Sequence, residues 1–223
     1  MFTTATFDFL GQLAANNNKP WFEQNKARYE LLVREPALDF IEMMGPVIRT
    51  FAPHFEAIPR KVGGSLMRVY RDTRFSADKT PFKTNIGMHF RHELGKDVHA
   101  PGFYVHIATD ECFLGVGCWR PDADALERIR DYIAQKPDQW FAVRDHFSGQ
   151  PWQLWGDSLT RPPRGYAMDH PAIEDLKRKD FVGMAPLSLT EVTGEGLVEL
   201  AGRRFAETAA FMRFLCEALE VQY

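Results

Sequence analysis

Residues 102–109 alternate strictly, with Phe103, Val105 and Ile107 on one side and Tyr104 and His106 on the other. That period of two fits a strand with one face in a core and one face open. Residues 85–91 form a second strand candidate, and 111–119 a third, joined to 102–109 by a short turn at Asp110. A connection that short allows only antiparallel pairing, so the centre of the chain reads as an antiparallel meander. Residues 65–71 also alternate, with Met67 and Val69 opposed to Arg68 and Tyr70, and read as a further strand. Residues 181–187 add another.

Both ends of the chain have the other period. Phe7, Leu10, Leu13 and Ala14 recur at helical spacing after Thr6, a capping candidate, and Asn16-Asn17-Asn18 closes the helix. Pro20 suits the first turn of a second helix bearing Trp21, Phe22, Tyr29 and Leu32. A third helix is expected after Pro36 through Leu38, Ile41, Met44, Val47, Ile48 and Phe51, bent at Gly45-Pro46. Pro121-Asp122 opens a helix over Ala125, Leu126, Ile129 and Ile133, residues 137–147 form another, and 195–219 read as one long helix. Residues 148–170 are rich in Gly, Pro and Trp and read as an ordered loop. Helices at both ends around central strands predict an α+β fold, one domain over residues 1–223 with a mostly antiparallel sheet. With 45% hydrophobic and 13% aromatic residues, the chain can fill a sizeable core.

The chemistry concentrates in residues 68–84, R-V-Y-R-D-T-R-F-S-A-D-K-T-P-F-K-T. Arg68, Arg71, Arg74, Lys79 and Lys83 stand there around two acids, Asp72 and Asp78. Over residues 60–92 the balance is eight Lys/Arg against two acids, in a chain whose formal net charge is −3. A local positive region on an acidic protein points to a focused site for an anion rather than a bulk polyanion-binding surface. Asp72, Ser76 and Asp78 are turn formers and Pro81 stiffens the exit, so the segment reads as a braced strand and loop. Arginine forks match carboxylate or phosphate, and Asp72 is placed to orient them. Internal pairing is the competing account, with Asp72 on Arg68 or Arg74, Asp78 on Lys83, and Glu23 or Asp110 answering the remaining bases. Two acids cannot neutralise five bases, so a surplus of positive charge remains.

Other constellations are weaker. His89, His92, His99 and His106 lie close in sequence, but His89 and His92 differ by an odd number and face opposite ways on a strand. Asp78 beside Lys79 is a poor pair for a metal-assisted hydrolase, because adjacent strand residues point apart. Gly115-Val116-Gly117 suggests close approach of backbone or ligand, without the phosphate-binding G-x-G-x-x-G spacing. Tyr104, His106 and Trp119 are candidate pocket walls.

The expected partner is an anionic small molecule, a phosphorylated one among the candidates. A nucleic acid or protein on the same basic face is the alternative, and metal-assisted hydrolysis a third reading. No metal ligands are assigned, and cofactor and oligomeric state are left open. Cys112, Cys118 and Cys216 fit no C-x-x-C pattern and are expected to stay reduced, in keeping with a cytoplasmic protein. The N-terminus lacks the pattern of a signal peptide, and no apolar run is long enough for a membrane span.

The 68–84 stretch resembles the signature of a protein family, the domain of unknown function numbered 2461, departing at Phe82 where tyrosine is usual. F-x-F-L-x-x-L-A-x-N-N with Trp21-Phe22 resembles the family's opening, Gly102-Phe103-Tyr104 and G-V-G-C-W-R-P its central strands, and Pro163-Arg164-Gly165-Tyr166 with His170-Pro171 a later loop. The resemblance implies a soluble α+β protein of bacteria or fungi and supplies no catalytic residues.

Overall fold

The computed structural model describes residues 1–95, 101–147 and 151–223. His99 and the first part of the 148–170 loop lie outside the described residues. The chain is an α+β protein. Its strands are β1 (Phe55–Glu56), β2 (Asn85–His92), β3 (Gly102–Ala108), β4 (Cys112–Cys118), β5 (Gln153–Trp155) and β6 (Phe181–Pro186). Among the described residues they form a six-stranded antiparallel sheet in the order β1-β2-β3-β4-β6-β5. The expected meander is β2-β3-β4. β6 enters next to β4, and β5, drawn from the presumed loop, pairs with its far side as an edge strand.

The N-terminal helix α1 (Thr4–Ala15) starts one turn earlier than expected. Thr3 is its cap, and Thr6 answers from inside the helix by accepting the Thr3 amide at 3.2 Å, a capping box. Asn18 caps α2 (Lys19–Gln24) by accepting the Trp21 amide. The expected second and third helices are not separate. They run from α3 (Lys26–Tyr29) through a π-helical turn (Glu30–Arg34) into α4 (Glu35–Arg49). Pro36 has no amide hydrogen and crowds the turn before it, and the widened turn accommodates that without ending the helix. Phe40, outside the expected stripe, is fully buried.

On the C-terminal side follow α5 (Ala123–Gln135), α6 (Pro137–His146), α7 (Ile173–Leu176), α8 (Leu189–Thr193), α9 (Leu197–Glu207) and α10 (Ala209–Ala218). The single helix expected over 195–219 is therefore two, broken at Thr208. There the buried Thr208 hydroxyl donates to the Phe205 carbonyl at 2.7 Å, satisfying a group the break would orphan. Both helical sets contribute to one continuous core. It covers the sheet face that bears Ile86, Met88 and Phe90 of β2, Phe103, Val105 and Ile107 of β3, and Leu114 and Val116 of β4. The cysteines are unpaired, and among the described residues no helix is long and apolar enough to cross a membrane.

Residues 65–83 form a strap rather than the expected strand. Ser65–Met67 lie along the β2 edge beyond β1, with the Met67 amide donating to the Gly87 carbonyl and the His89 amide to the Ser65 carbonyl. The chain then doubles back on itself. Tyr70 bridges to Phe82, Arg71 donates to the Pro81 carbonyl, and the Lys83 amide donates to Val69. Strict alternation is lost, because a strap has sheet on one side only: Leu66 and Val69 are buried, while Met67 is half-buried.

The returning leg is pinned from the helical layer. Asn17 brackets Phe82, accepting its amide at 3.0 Å and donating to its carbonyl at 2.9 Å. The Phe82 ring stacks on Phe22 with centroids 4.1 Å apart. Asn17→Ala is expected to cost about 1–3 kcal/mol, because it leaves a half-buried amide and carbonyl unmet. Asn16→Ala, which removes one exposed bond to the Gln12 carbonyl, is expected to cost clearly less. Urea denaturation of the two variants checks the contrast.

Candidate functional site

The face of the sheet opposite the helices carries the other phase of each strand. From β2 come Asn85, Gly87 and His89; from β3, Gly102, Tyr104 and His106; from β4, Phe113, Gly115 and Gly117; from β6, Val182 and Met184. The strap leans over the β2 side of this face. Between them lies a cavity of about 650 Å3, within the range of small-molecule sites. The strap contributes Met67, Arg71, Asp72 and Lys83 to its wall, and Trp119 and Trp155 stand at the β4–β6 end.

Of the residues singled out in the sequence, Arg71, Asp72, Lys83, Tyr104, His106 and Trp119 line this cavity. Arg68, Arg74 and Lys79 do not. Internal pairing commits two of the strap's five bases to its two acids. Arg74 grips Asp72 with two side-chain bonds, 3.0 and 2.7 Å. Arg71 pairs with Asp78 and donates to the Thr80 hydroxyl at 2.5 Å. Lys79 donates to the Thr73 carbonyl at 2.9 Å. Hydrogen bonds from Arg74 hold Asp72 well below the usual carboxylate range. The Thr80 amide, then Arg71, bring Asp78 to about 2.

The expected Asp78–Lys83 pair is absent, because Arg71 takes that carboxylate. Glu23 is engaged by Lys26 at 4.0 Å. Lys83 forms no ion pair among the described residues, and its ammonium stands 3.9 Å from the Met67 sulfur. Burial, then the charge of Arg68, push its pKa down.

The histidines divide as the strand phase requires. His92 faces the core, and its Nε2 meets the Gln222 carbonyl at 2.6 Å. His89 and His106 face the cavity. His89 is buried, and its Nδ1 accepts a hydrogen bond from Arg91 Nε at 3.2 Å. The ring proton therefore sits on Nε2, and that nitrogen has no hydrogen-bond partner among the described residues. Its ring fills the space that a Cβ at Gly102 would occupy. Burial, and secondarily Arg91, lower its pKa to about 4, so His89 presents a neutral N–H donor.

Tyr104 lies across Gly87, where a Cβ would come within 2.6 Å of the phenol oxygen. Burial and then Glu111 raise the phenol to about 12, so it remains protonated. It donates to His106 Nδ1 at 3.2 Å, with Asn85 Nδ2 at 3.5 Å. His106 stacks on Phe113 at 4.7 Å, and burial lowers its pKa. Among the described residues no three of His, Cys, Asp and Glu converge as a metal-ligating group.

The reading of the sequence passed over Met67, Asn85, Trp155, Val182 and Met184. Asn85 was legible, since it shares the phase of Gly87 and His89. Trp155, Val182 and Met184 were not, because nothing local shows that β6 inserts beside β4.

The family model of conserved hypothetical proteins numbered DUF2461 matches residues 5–214, and the chain belongs to that family. No curated protein and no solved structure matches it.

The state of His89 is testable through pH. The unfolded imidazole takes up its proton near pH 6.5, whereas the folded one stays neutral down to about 4. Between those values the unfolded chain binds more protons, so stability falls as pH falls. Against His89→Gln, which never titrates, the wild type is expected to lose up to about 1.4 kcal/mol per pH unit across that window. Parallel stability curves for the two proteins between pH 7 and pH 4.5 would show that His89 is not held neutral.

Proposed function

We propose that this member of the DUF2461 family binds a small organic anion in the cavity on the uncovered face of its sheet. Lys83 carries the reading. It is a half-buried cation on the cavity wall, without an acidic partner among the described residues. Holding a charge away from water without a counter-ion is costly, and a bound anion removes that cost. The His89 Nε2–H adds a neutral donor that suits an anion's oxygens. Arg71, steadied by Asp78 and Thr80, reaches the same cavity with a fixed guanidinium.

In this arrangement the five bases have different roles. Lys83 meets the anion, and Arg71 frames it. Arg74 and Lys79 brace the strap, and Arg68 contributes its field from outside. A carboxylate and a phosphate monoester share the required chemistry, and binding measurements with both classes separate them. Lys83→Met is expected to abolish binding of small carboxylates and of inorganic phosphate, and to raise the melting temperature of the free protein because it removes an uncompensated cation. Arg74→Ala is expected to lower the melting temperature while leaving a bound state measurable by calorimetry. A Lys83→Met protein that binds like wild type contradicts the assignment.

One observation favours a second reading. Phe75, at the strap tip, is 95% exposed beside Arg74, with the guanidinium 5.8 Å from its ring. An exposed aromatic among bases suits a nucleic-acid strand, with a base stacked on Phe75 and phosphates at Arg68 and Lys79. Retention on single-stranded DNA that weakens steeply with salt, and is lost in Phe75→Ala but kept in Lys83→Met, is the result expected from it. Absence of retention at low salt removes this reading.

A further inference from the structure

We infer that the organic anion carries a flat aromatic ring, seated at the β4–β6 end of the cavity. The inference rests on the anion-binding reading above and specifies its ligand. The cavity changes character along its length. At the strap end its charged lining is Lys83, Arg71 paired to Asp78, and Asp72 paired to Arg74, beside Asn85 and the His89 N–H. At the other end its surface is Gly115, Gly117, Val182 and Met184, with Trp119 and Trp155 as the rim. These two indoles are 44% and 53% exposed, whereas Trp140 and Trp152 are buried in the core. An apolar, aromatic-rimmed end opposite a cationic end fits a molecule with the same two ends.

The floor supports this. Gly117 is glycine for backbone reasons: its φ is +108°, and a Cβ there would run into the Phe181 carbonyl. Gly115 has no such reason. A Cβ at Gly115 would have as nearest atoms Tyr104 Cβ at 3.5 Å and Phe113 Cε2 at 3.8 Å, ordinary contacts. Packing therefore tolerates a side chain at Gly115. What the glycine leaves is a bare patch of sheet inside the cavity, between Tyr104 on β3 and Met184 on β6. A flat ring can lie against such a patch.

The rim is held before any ligand arrives. The buried Asp180 carboxylate accepts the Arg120 amide at 2.7 Å and the Asp157 amide at 3.0 Å. It thereby ties the turn after β4 to the turn after β5. Gly156, at φ +122°, makes room for Asp180 beneath the second turn. Trp119 directly precedes the first tied residue, and Trp155 stands two before the second. Arg120 covers one face of the Trp119 indole at 4.9 Å. With the backbone tied on both sides and one face of the Trp119 indole covered, the rim loses little freedom on binding.

Stacking contributes beyond area burial, enough for a preference of about 2–10-fold for an aromatic acid over its saturated counterpart. The test is calorimetric titration of the full chain with phenylacetate, cyclohexylacetate and inorganic phosphate. Phenylacetate is expected to bind about 2–10-fold more tightly than cyclohexylacetate. Trp155→Ala is expected to erase that preference without changing the melting temperature of the free protein, since the residue is exposed on an edge strand. Gly115→Leu, which fills the floor, is expected to abolish binding of both acids while leaving phosphate binding in place. Cyclohexylacetate binding as tightly as phenylacetate, or an unchanged preference in Trp155→Ala, overturns the aromatic inference and leaves anion binding standing. Failure of all three probes to bind overturns both.

Discussion

The register of β2 against β3 is the constraint from which the rest of the site follows. Gly87 stands opposite His106, and His89 opposite Tyr104. A slip of one residue would move Met88, Phe90 and their neighbours onto the open face and bring His89 and Asn85 into the core. The helical layer forbids it, because Phe103, Val105 and Ile107 are fully buried beneath it. One face is thus committed to the core. The other is free to carry polar groups, glycines and a cavity. Gly87 is part of the same constraint, since only a residue without a side chain lets the Tyr104 phenol lie across β2 and reach His106.

The strap adds charge to that face, in a form its composition does not suggest. Five bases and two acids look like a broad positive patch. Folded, Arg74 and Arg71 are committed to Asp72 and Asp78, and Lys79 to a carbonyl. The carboxylates act as fasteners for the loop, and the charge available to the cavity narrows to Lys83 with the framed guanidinium of Arg71. Asn17 and Phe22 hold the returning leg, so the position of Lys83 depends on the N-terminal helices as much as on its own segment.

The architecture was legible where periodicity is local. β2, β3, β4 and β6 fell within a residue or two of expectation, and so did α5 and α6, because burial on one face imprints the pattern directly. The misreadings have particular causes. Pro36 reads as a helix boundary, but a π turn absorbs it. Thr208 lies inside a continuous helical pattern, yet its hydroxyl satisfies a carbonyl and allows a break. Gln153–Trp155 is too short to register as a strand until β6 offers it an edge. Residues 65–71 alternate but are bonded only piecemeal along β2.

The sequence by itself determined the family, the α+β class, the meander and the phase that sets Tyr104 and His106 apart from Phe103 and Val105. It also determined that two acids cannot neutralise the bases of the strap. Only the tertiary structure decided that Arg68, Lys79 and Lys83 are the bases left over, and that of these three Lys83 lines the cavity. That choice depends on Arg71 reaching Asp78 before Lys83 can, through a doubling-back of the chain that no local pattern encodes. Likewise, Trp119 and Trp155 become one rim only because β6 inserts beside β4 and Asp180 ties their turns. Periodicity records which face of an element is buried, whereas ion pairs and cavity walls depend on which elements meet.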